Sequence, residues 1–337
     1  MKALFIGGTG TISSPISYFS ASSGWELYLL NRGSRELPEG AVQIQADIRD
    51  EDAVREKLSG MRFDAVVDFI AYTPGEIERD FRLFGGRTGQ YIFISSASAY
   101  QKPLVSPFIT ESTPLYNPFW QYSRDKIACE QLLTDLYRQK GFPITIVRPS
   151  HTYGERAVPV ALHGGKGSYP VIRRMMQDKK VIVPGDGTSL WTLTWNEDFA
   201  LAFLGLMGNI HAIGETYQIT SDESLTWNQI YHTIAVALGV EARLTHIPSA
   251  VLGAKNPDWM GGLIGDKANS VLFDNAKIKR AVPGFKACTR FDEGVRVALE
   301  YIENHTECQT ADPEFDLWCD RMIEAWERAV EALPRFR

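Results

Sequence analysis

Long apolar runs are missing from this chain. None approaches the roughly 20 residues that a membrane-spanning helix needs, so no membrane partner is expected. The apolar stretch Ala3-Leu4-Phe5-Ile6 is short and runs into glycines, unlike a secretory signal, and a cytoplasmic protein is the expectation. Cysteine is scarce: Cys129, Cys288, Cys308 and Cys319 have neither metal-ligand nor redox spacing, and no metal site is expected. A bridge between Cys308 and Cys319 is conceivable, but a reduced chain fits better, and Cys129 reads as packing. Positive charge is in deficit. The net charge of −6 argues against nonspecific nucleic-acid binding, which rests on cationic surface. Arg173-Arg174 and Lys179-Lys180 are local exceptions, and read first as a solvated helix face. Internal repeats and low-complexity linkers are absent as well.

What remains is an ordinary globular composition, 44% hydrophobic and 23% charged. At 337 residues the chain exceeds the usual single core, so one large domain or two fused subdomains are expected. The first half alternates short apolar runs with helical patterns, the signature of a parallel sheet covered on both faces. Strands are expected at 2–6, 26–30, 42–45, 65–69, 91–95 and 144–148, with helices at 51–58, 76–84 and 124–139. In such sheets ligands bind at the carboxyl ends of the strands. The second half is less regular. A loop is expected at 159–167, a strand at 181–183, and helices at 197–207, 227–238, 291–304 and 316–332. Trp318 and Trp326 on the last of these read as packing anchors.

Tyr122-Ser123-Arg124-Asp125-Lys126 places a phenol and an ammonium one helical turn apart on one face. A cation there favours the phenolate, the tuning that proton transfer requires. By itself the pair is common on helices. It gains weight from Gly7-Gly8-Thr9-Gly10-Thr11-Ile12-Ser13, which follows the first strand and precedes a helix. Glycines there allow a tight turn and let backbone amides approach a pyrophosphate at the helix N-terminus. Ser13 takes the third glycine's place and still permits close helix–strand packing.

The end of the second strand bears on the cofactor's phosphate state. A carboxylate there would bind a ribose 2′-hydroxyl, and an arginine a 2′-phosphate. The chain has Asn31-Arg32-Gly33-Ser34-Arg35, so Arg32 with Arg35 behind it favours NADP over NAD. The alternative is that both arginines are simply exposed loop residues. Asp47-Ile48 after the third strand reads as an adenine contact, and Phe69-Ile70-Ala71 after the fourth as the ribose side.

The glycine turn, Ser95-Ser96-Ala97-Ser98-Ala99-Tyr100, Tyr122 to Lys126, and Arg148-Pro149-Ser150-His151-Thr152-Tyr153-Gly154 occur in that order and register. Together they resemble the extended short-chain dehydrogenase/reductase superfamily, in its NAD-dependent epimerase/dehydratase branch. The likeness covers roughly the first 300 residues, including Phe273-Asp274-Asn275 and Phe291-Asp292-Glu293-Gly294. It implies an α/β fold with a doubly wound, Rossmann-type parallel sheet. A smaller C-terminal α/β substrate-binding subdomain and a helical C-terminal extension would complete it. The expected divisions are 1–155 for the dinucleotide domain, to which about 190–222 returns, 156–305 for the substrate subdomain, and 306–337 for the extension.

By position, Tyr122 resembles the proton-transferring phenol, Lys126 its ribose-binding partner, and Ser96 the catalytic hydroxyl that hydrogen-bonds the reacting oxygen. Gly7, Gly10, Thr11 and Ile12 would hold the pyrophosphate, and Pro149, Ser150 and His151 would lie against the nicotinamide. Ser96, Ser98, Tyr122 and His151 would face substrate.

Two departures narrow the function. Dehydratases of this branch place an Asp-Glu pair after the catalytic hydroxyl, where this chain has Ala97-Ser98, so elimination of water is not expected. Nucleotide-sugar members carry a diphosphate-clamping arginine seven residues before the position of Asp198, and Trp191 stands there. An indole cannot replace a bidentate guanidinium, though it can stack on a sugar face; Arg173, Arg174 or Lys180 remain candidate clamps.

The leading expectation is an NAD(P)-dependent epimerase-type enzyme, acting on a secondary alcohol of a sugar or nucleotide sugar through a transient ketone. The alternative is a net NADPH-dependent reductase or dehydrogenase of a small compound. A more distant one comes from Gly7-Gly8-Thr9-Gly10 with Asn31-Arg32-Gly33, which resembles plastid stem-loop RNA-binding relatives of non-redox use. A homodimer built from helices beside the sheet is expected.

Overall fold

The structure is a computed structural model that describes residues 1–33 and 35–336. The chain divides into two compact units, Met1–Thr152 with Thr194–Asp222 and Phe273–Cys288, and Tyr153–Leu193 with Glu223–Leu272 and the residues from Thr289 on. The segment Phe273–Cys288 belongs to the first unit, whereas the division expected from sequence, 156–305, places it in the second. Its Val282 explains why: a Cβ on Gly205 would lie 2.4 Å from the valine side chain, so the glycine lets the two segments touch.

The first unit is built on β1 (Lys2–Ile6), β2 (Glu26–Asn31), β3 (Val42–Gln45), β4 (Ala65–Asp68) and β5 (Tyr91–Ile94), followed by the strands Ile144–Pro149 and Thr216–Ile219. They form one seven-stranded sheet in the order β3-β2-β1-β4-β5, then Ile144–Pro149, then Thr216–Ile219. Every pairing in it is parallel. The order reverses beside β1, the doubly wound arrangement expected from the sequence.

Side chains alternate across the sheet and both faces are dry. Ala3, Phe5, Leu29, Val67 and Ile92 pack on one side with Phe199 and Phe203 of the helix Asn196–Leu206. Leu4, Ile6, Val66, Tyr91 and Phe93 pack on the other with Val54, Ile77 and Leu133. Those three lie on α2 (Glu51–Lys57), α3 (Pro74–Phe84) and α4 (Gln121–Lys140), while α1 (Ser13–Ser22) follows β1.

The seventh strand, Thr216–Ile219, went unmarked in the sequence. Its central Gln218 is fully buried, accepting from the Tyr100 hydroxyl at 2.8 Å and donating to the carbonyls of Ile109 and Asp274. A polar residue at the middle of a four-residue strand breaks the apolar run that would have marked it. α3 begins earlier than expected because Thr73 and Glu76 form a capping box around Pro74, the first helical residue. α4 ends at Gly141, which takes the left-handed conformation at φ 67°.

In the second unit, Val181–Pro184 pairs in parallel with Leu244–Ile247, and Leu190–Trp191 pairs antiparallel with Leu225–Thr226. Helices Tyr169–Met176, Trp227–Leu238 and Phe291–Asn304 accompany them. The C-terminal helix runs Pro313–Glu331, opened by Asp312, whose carboxylate accepts the Phe315 amide at 3.1 Å. Trp318 packs edge-on against Trp259 at 4.9 Å. Buried Arg174 holds the helix through Asp316 at 2.5 Å and Asp320 at 2.7 Å, with Lys179 on the same carboxylates and Lys180 on Glu327. Arg174 and Lys180 are therefore engaged as fasteners. All four cysteines are free thiols, and Cys129 is buried in the core.

Candidate active site

Because the sheet of the first unit is parallel, its strands deliver their following loops to one edge. Ile6 is followed by Gly7 and Gly8 at φ 98° and 93°, conformations that only glycine adopts without strain. A Cβ on Gly8 would lie 2.8 Å from Leu29, so the turn lies flat on β2. Ser13 does more than replace a glycine: its hydroxyl accepts the Gly10 amide at 2.8 Å, while Ser17 donates to the Gly8 carbonyl. α1 then starts with neither a side-chain cap nor an acidic residue in its first turn. First-turn amides of a helix have no intrahelical acceptor, and this end carries partial positive charge. The residues present thus fit a dinucleotide's pyrophosphate. Thr11 is exposed and Ile12 half-buried at this end, and Asn196 donates to the Thr11 carbonyl at 3.0 Å.

At the end of β2, the Asn31 carboxamide oxygen accepts from the Gly33 amide and from Gln43. Arg32 is exposed, and its carbonyl accepts from Gln45 at 3.2 Å. Arg35 is exposed too and donates to the Thr9 carbonyl, which ties this loop to the glycine turn; Ser34 lies outside the described residues. Asp47 is bound by Arg49 at 2.5 Å, which holds its carboxyl well below the usual carboxylate range. Ile48 beside it is buried.

β4 ends on a buried charge cluster. Asp68 accepts the amides of Ile70 at 2.6 Å and Ala71 at 2.8 Å, and Arg79 bridges it to Asp80. Burial and the neighbouring Asp68 push Asp80 well above the usual carboxylate range, and the Tyr91 hydroxyl donates to it at 2.6 Å. The cluster therefore shapes the turn Phe69-Ile70-Ala71, where Ile70 is exposed and Ala71 buried.

Lys126 reaches that turn from α4. Only 2% exposed, its ammonium donates to the carbonyls of Ala71 at 2.7 Å and Ile94 at 2.8 Å. It lies 4.5 Å from the ring centre of Tyr72, 4.6 Å from that of Phe93 and 5.8 Å from that of Tyr122. Desolvation lowers its pKa from 10.5 to about 8. Tyr122 sits in the first turn of α4, its ring 4.8 Å from Trp120 and 6.2 Å from Tyr72. The phenol and the ammonium are thus on one helical face, as the spacing implied.

After β5, Ser96 opens a short 3₁₀ turn, Ala97–Ala99. The Ser96 hydroxyl lies 2.9 Å from that of Ser98 and accepts the Ser98 amide at 3.1 Å. Ser98 in turn accepts from Ser123, next to Tyr122, at 2.8 Å, and its carbonyl accepts from Asn117. Ser95 donates to Glu130, one turn beyond Lys126, and Glu130 pairs with buried Arg148 at 2.5 Å. Ser123, Asn117, Asp68 and Glu130 were not singled out in the sequence. Only the adjacency of Ser123 to Tyr122, and the four-residue step from Lys126 to Glu130, hinted at them.

Pro149 is buried, and Ser150 and His151 half-buried, at the end of the next strand, with Ser150 3.4 Å from Thr194. Trp191 and Arg173 belong to the second unit. Trp191 is 5% exposed, its ring 5.5 Å from that of Trp227, and its indole N–H is unpaired among the described residues. Arg173 is exposed. Among the described residues no group of side chains could hold a metal ion, and no helix is long and apolar enough to cross a membrane.

Residues 81–220 match the model of the NAD dependent epimerase/dehydratase family. The chain is 27% identical over 261 residues to the chloroplast stem-loop binding protein of 41 kDa b from Arabidopsis thaliana, covering 73% of this chain and 65% of that protein. It is 22% identical to 2'-dehydrokanamycin reductase from Streptomyces kanamyceticus, covering 74% and 70%. The chain thus spans about two thirds of the length of these relatives. Among solved structures it resembles the UDP-glucuronic acid 4-epimerase of Bacillus cereus in complex with UDP-glucuronic acid and NAD. That likeness has a TM-score of 0.70 at 18% identity, over 90% of this chain and 99% of the other. The fold and the order of its motifs are those of the matched domain: over residues 81–220 the chain is similar to the NAD dependent epimerase/dehydratase family.

Proposed function

We propose that the protein is an NAD(P)-dependent epimerase-type oxidoreductase acting on a secondary alcohol of a sugar or nucleotide sugar. The observation that carries this reading is the Tyr122–Lys126 face of α4, with the ammonium pinned to the Ala71 and Ile94 carbonyls. A nicotinamide, when bound, supplies the hydride acceptor and donor that such chemistry needs. The glycine turn and the start of α1 would hold its pyrophosphate, and the Phe69-Ile70-Ala71 turn its ribose side. Tyr122 takes the proton from the substrate hydroxyl as the carbinol becomes a ketone, and returns it when the alcohol re-forms with the other configuration. Lys126 stabilises the phenolate in between, and Ser96 hydrogen-bonds the reacting oxygen. Ala97 and Ser98 supply no carboxylate for eliminating water, so dehydration is not part of the reading.

Arg32 and Arg35, with no carboxylate at the end of β2, support NADP over NAD. Titration of the protein with each dinucleotide, followed by fluorescence, tests this; tighter binding of NAD would refute it. We read the compartment as the cytoplasm and the assembly as a homodimer; light scattering of the purified protein measures the latter, and a monomeric mass would refute it.

Native mass spectrometry of the purified protein should show a retained dinucleotide. Turnover of a sugar substrate should leave nicotinamide absorbance unchanged at steady state, and Tyr122→Phe should abolish turnover while keeping the dinucleotide. Unchanged turnover in that variant would end the mechanism. A steady absorbance change would instead favour a net reductase, a second reading supported by Arg32 and by the reductase relative. Stem-loop binding, the activity in the name of the Arabidopsis relative, is weighed down here by the net charge of −6.

A further inference from the structure

The hydroxyl groups of Ser96, Ser98 and Ser123 form a chain whose ends differ. Ser123 and Ser98 are buried, at 0% and 4% exposure, whereas Ser96 is half-buried. The two inner hydroxyls therefore meet each other and Ser96 rather than a ligand. We propose that Ser123 and Ser98 act as positioning residues that make Ser96 a one-way hydrogen-bond donor to the oxygen undergoing proton transfer. The inference rests on the epimerase-type reading for what Ser96 faces, but not for the direction of the chain itself.

A hydroxyl has one hydrogen to give and two lone pairs to receive. Ser123 gives its hydrogen to Ser98 at 2.8 Å. The Ser98 hydrogen then has the Ser96 oxygen as its partner, 2.9 Å away. Ser96 also receives the Ser98 amide at 3.1 Å. Both of its lone pairs are thus taken, and only its own hydrogen remains to be offered outward. Each donation in such a chain polarises the next, which strengthens the last donor. The scaffold keeps the direction: Asn117 holds the Ser98 carbonyl at 2.8 Å, and Ser123 is fixed in the first turn of α4, beside Tyr122. A carboxylate at position 98 could only accept, and would draw the Ser96 hydrogen inward.

The direction can be read without any substrate. Neutron diffraction from deuterium-exchanged crystals of the full chain should place the Ser123 deuterium towards Ser98, that of Ser98 towards Ser96, and that of Ser96 away from both. A Ser96 deuterium pointing at Ser98 overturns the proposal. The consequence is kinetic, measured with the sugar substrate that wild-type protein turns over. Ser123→Ala should lower kcat roughly tenfold with KM little changed, as expected when a transition-state contact is weakened. In a Ser96→Ala background the same change should have no further effect, because Ser123 acts only through Ser96. Ser98→Ala serves in the same cycle if Ser123→Ala fails to fold. Additive losses, or full kcat in Ser123→Ala, overturn the inference while leaving the mechanism standing. If Ser96→Ala and Tyr122→Phe both keep full turnover, the epimerase-type reading fails, whatever the deuterium map shows.

Discussion

Replacing Lys126 with methionine keeps the length of the side chain and removes its charge. With the ring centre of Tyr122 as the seat of the phenolate charge, the ammonium lies 5.8 Å away. At an effective dielectric constant of about 20, that attraction is worth about 3 kcal/mol, or roughly two pH units. The acidic limb of the kcat/KM profile should therefore move up by about two pH units in Lys126→Met, with turnover near pH 7 falling on the order of a hundredfold. The wild-type profile should also turn down near pH 8, where Lys126, held by burial at about 8, loses its proton. Stability carries the same signature with its own sign. The lysine is depressed in the folded chain relative to 10.5, so between pH 8 and 10.5 the unfolded chain binds more protons and stability rises with pH. Below pH 8 the cost of burying the cation is fully present, and Lys126→Met should flatten this dependence. Native mass spectrometry on the same samples reports dinucleotide retention, separating lost binding from lost chemistry. An acidic limb that stays in place in Lys126→Met, with dinucleotide retained, would refute the electrostatic role.

Three further outcomes follow from particular contacts. Gly8→Ala should cost about 2–4 kcal/mol, since φ is 93° and the new Cβ would lie 2.8 Å from Leu29; thermal melts and dinucleotide titration should both register it. Glu130→Ala leaves Arg148 buried without its carboxylate, at 4% exposure, and should cost roughly 3–5 kcal/mol in urea unfolding; a loss under about 1 kcal/mol would contradict the buried pairing. Arg174→Ala should cost about 2 kcal/mol, discounted because Asp316 and Asp320 are partly solvated, and should expose the start of the C-terminal helix to limited proteolysis; an uncut helix would contradict its role as the fastener.

Much of the site was legible because its chemistry is local. A glycine turn after an apolar strand, and a phenol and amine one turn apart, are patterns of short range that backbone geometry alone turns into structure. The elements β1 and β3, and the helices Trp227–Leu238 and Phe291–Asn304, occur over the residues the periodicity marks. The remainder depends on residues distant in sequence. Asp68 reads as one more strand residue until the fold brings Arg79 and the Ala71 turn to it, and Gln218 hides a strand because its partners, Tyr100, Ile109 and Asp274, are far along the chain.

The sequence by itself determined the class of fold and the spacing of the candidate groups, since alternation of periodicities and the order of motifs need no knowledge of packing. Tertiary structure decided how those groups are held: that Lys126 is stripped of water and pinned between two carbonyls, that Ser123 and Ser98 stand behind Ser96, and that Arg174 fastens a helix. The physical reason is that hydrogen-bond direction, desolvation and ion pairing depend on which groups meet across the fold, and no spacing along the chain encodes that meeting.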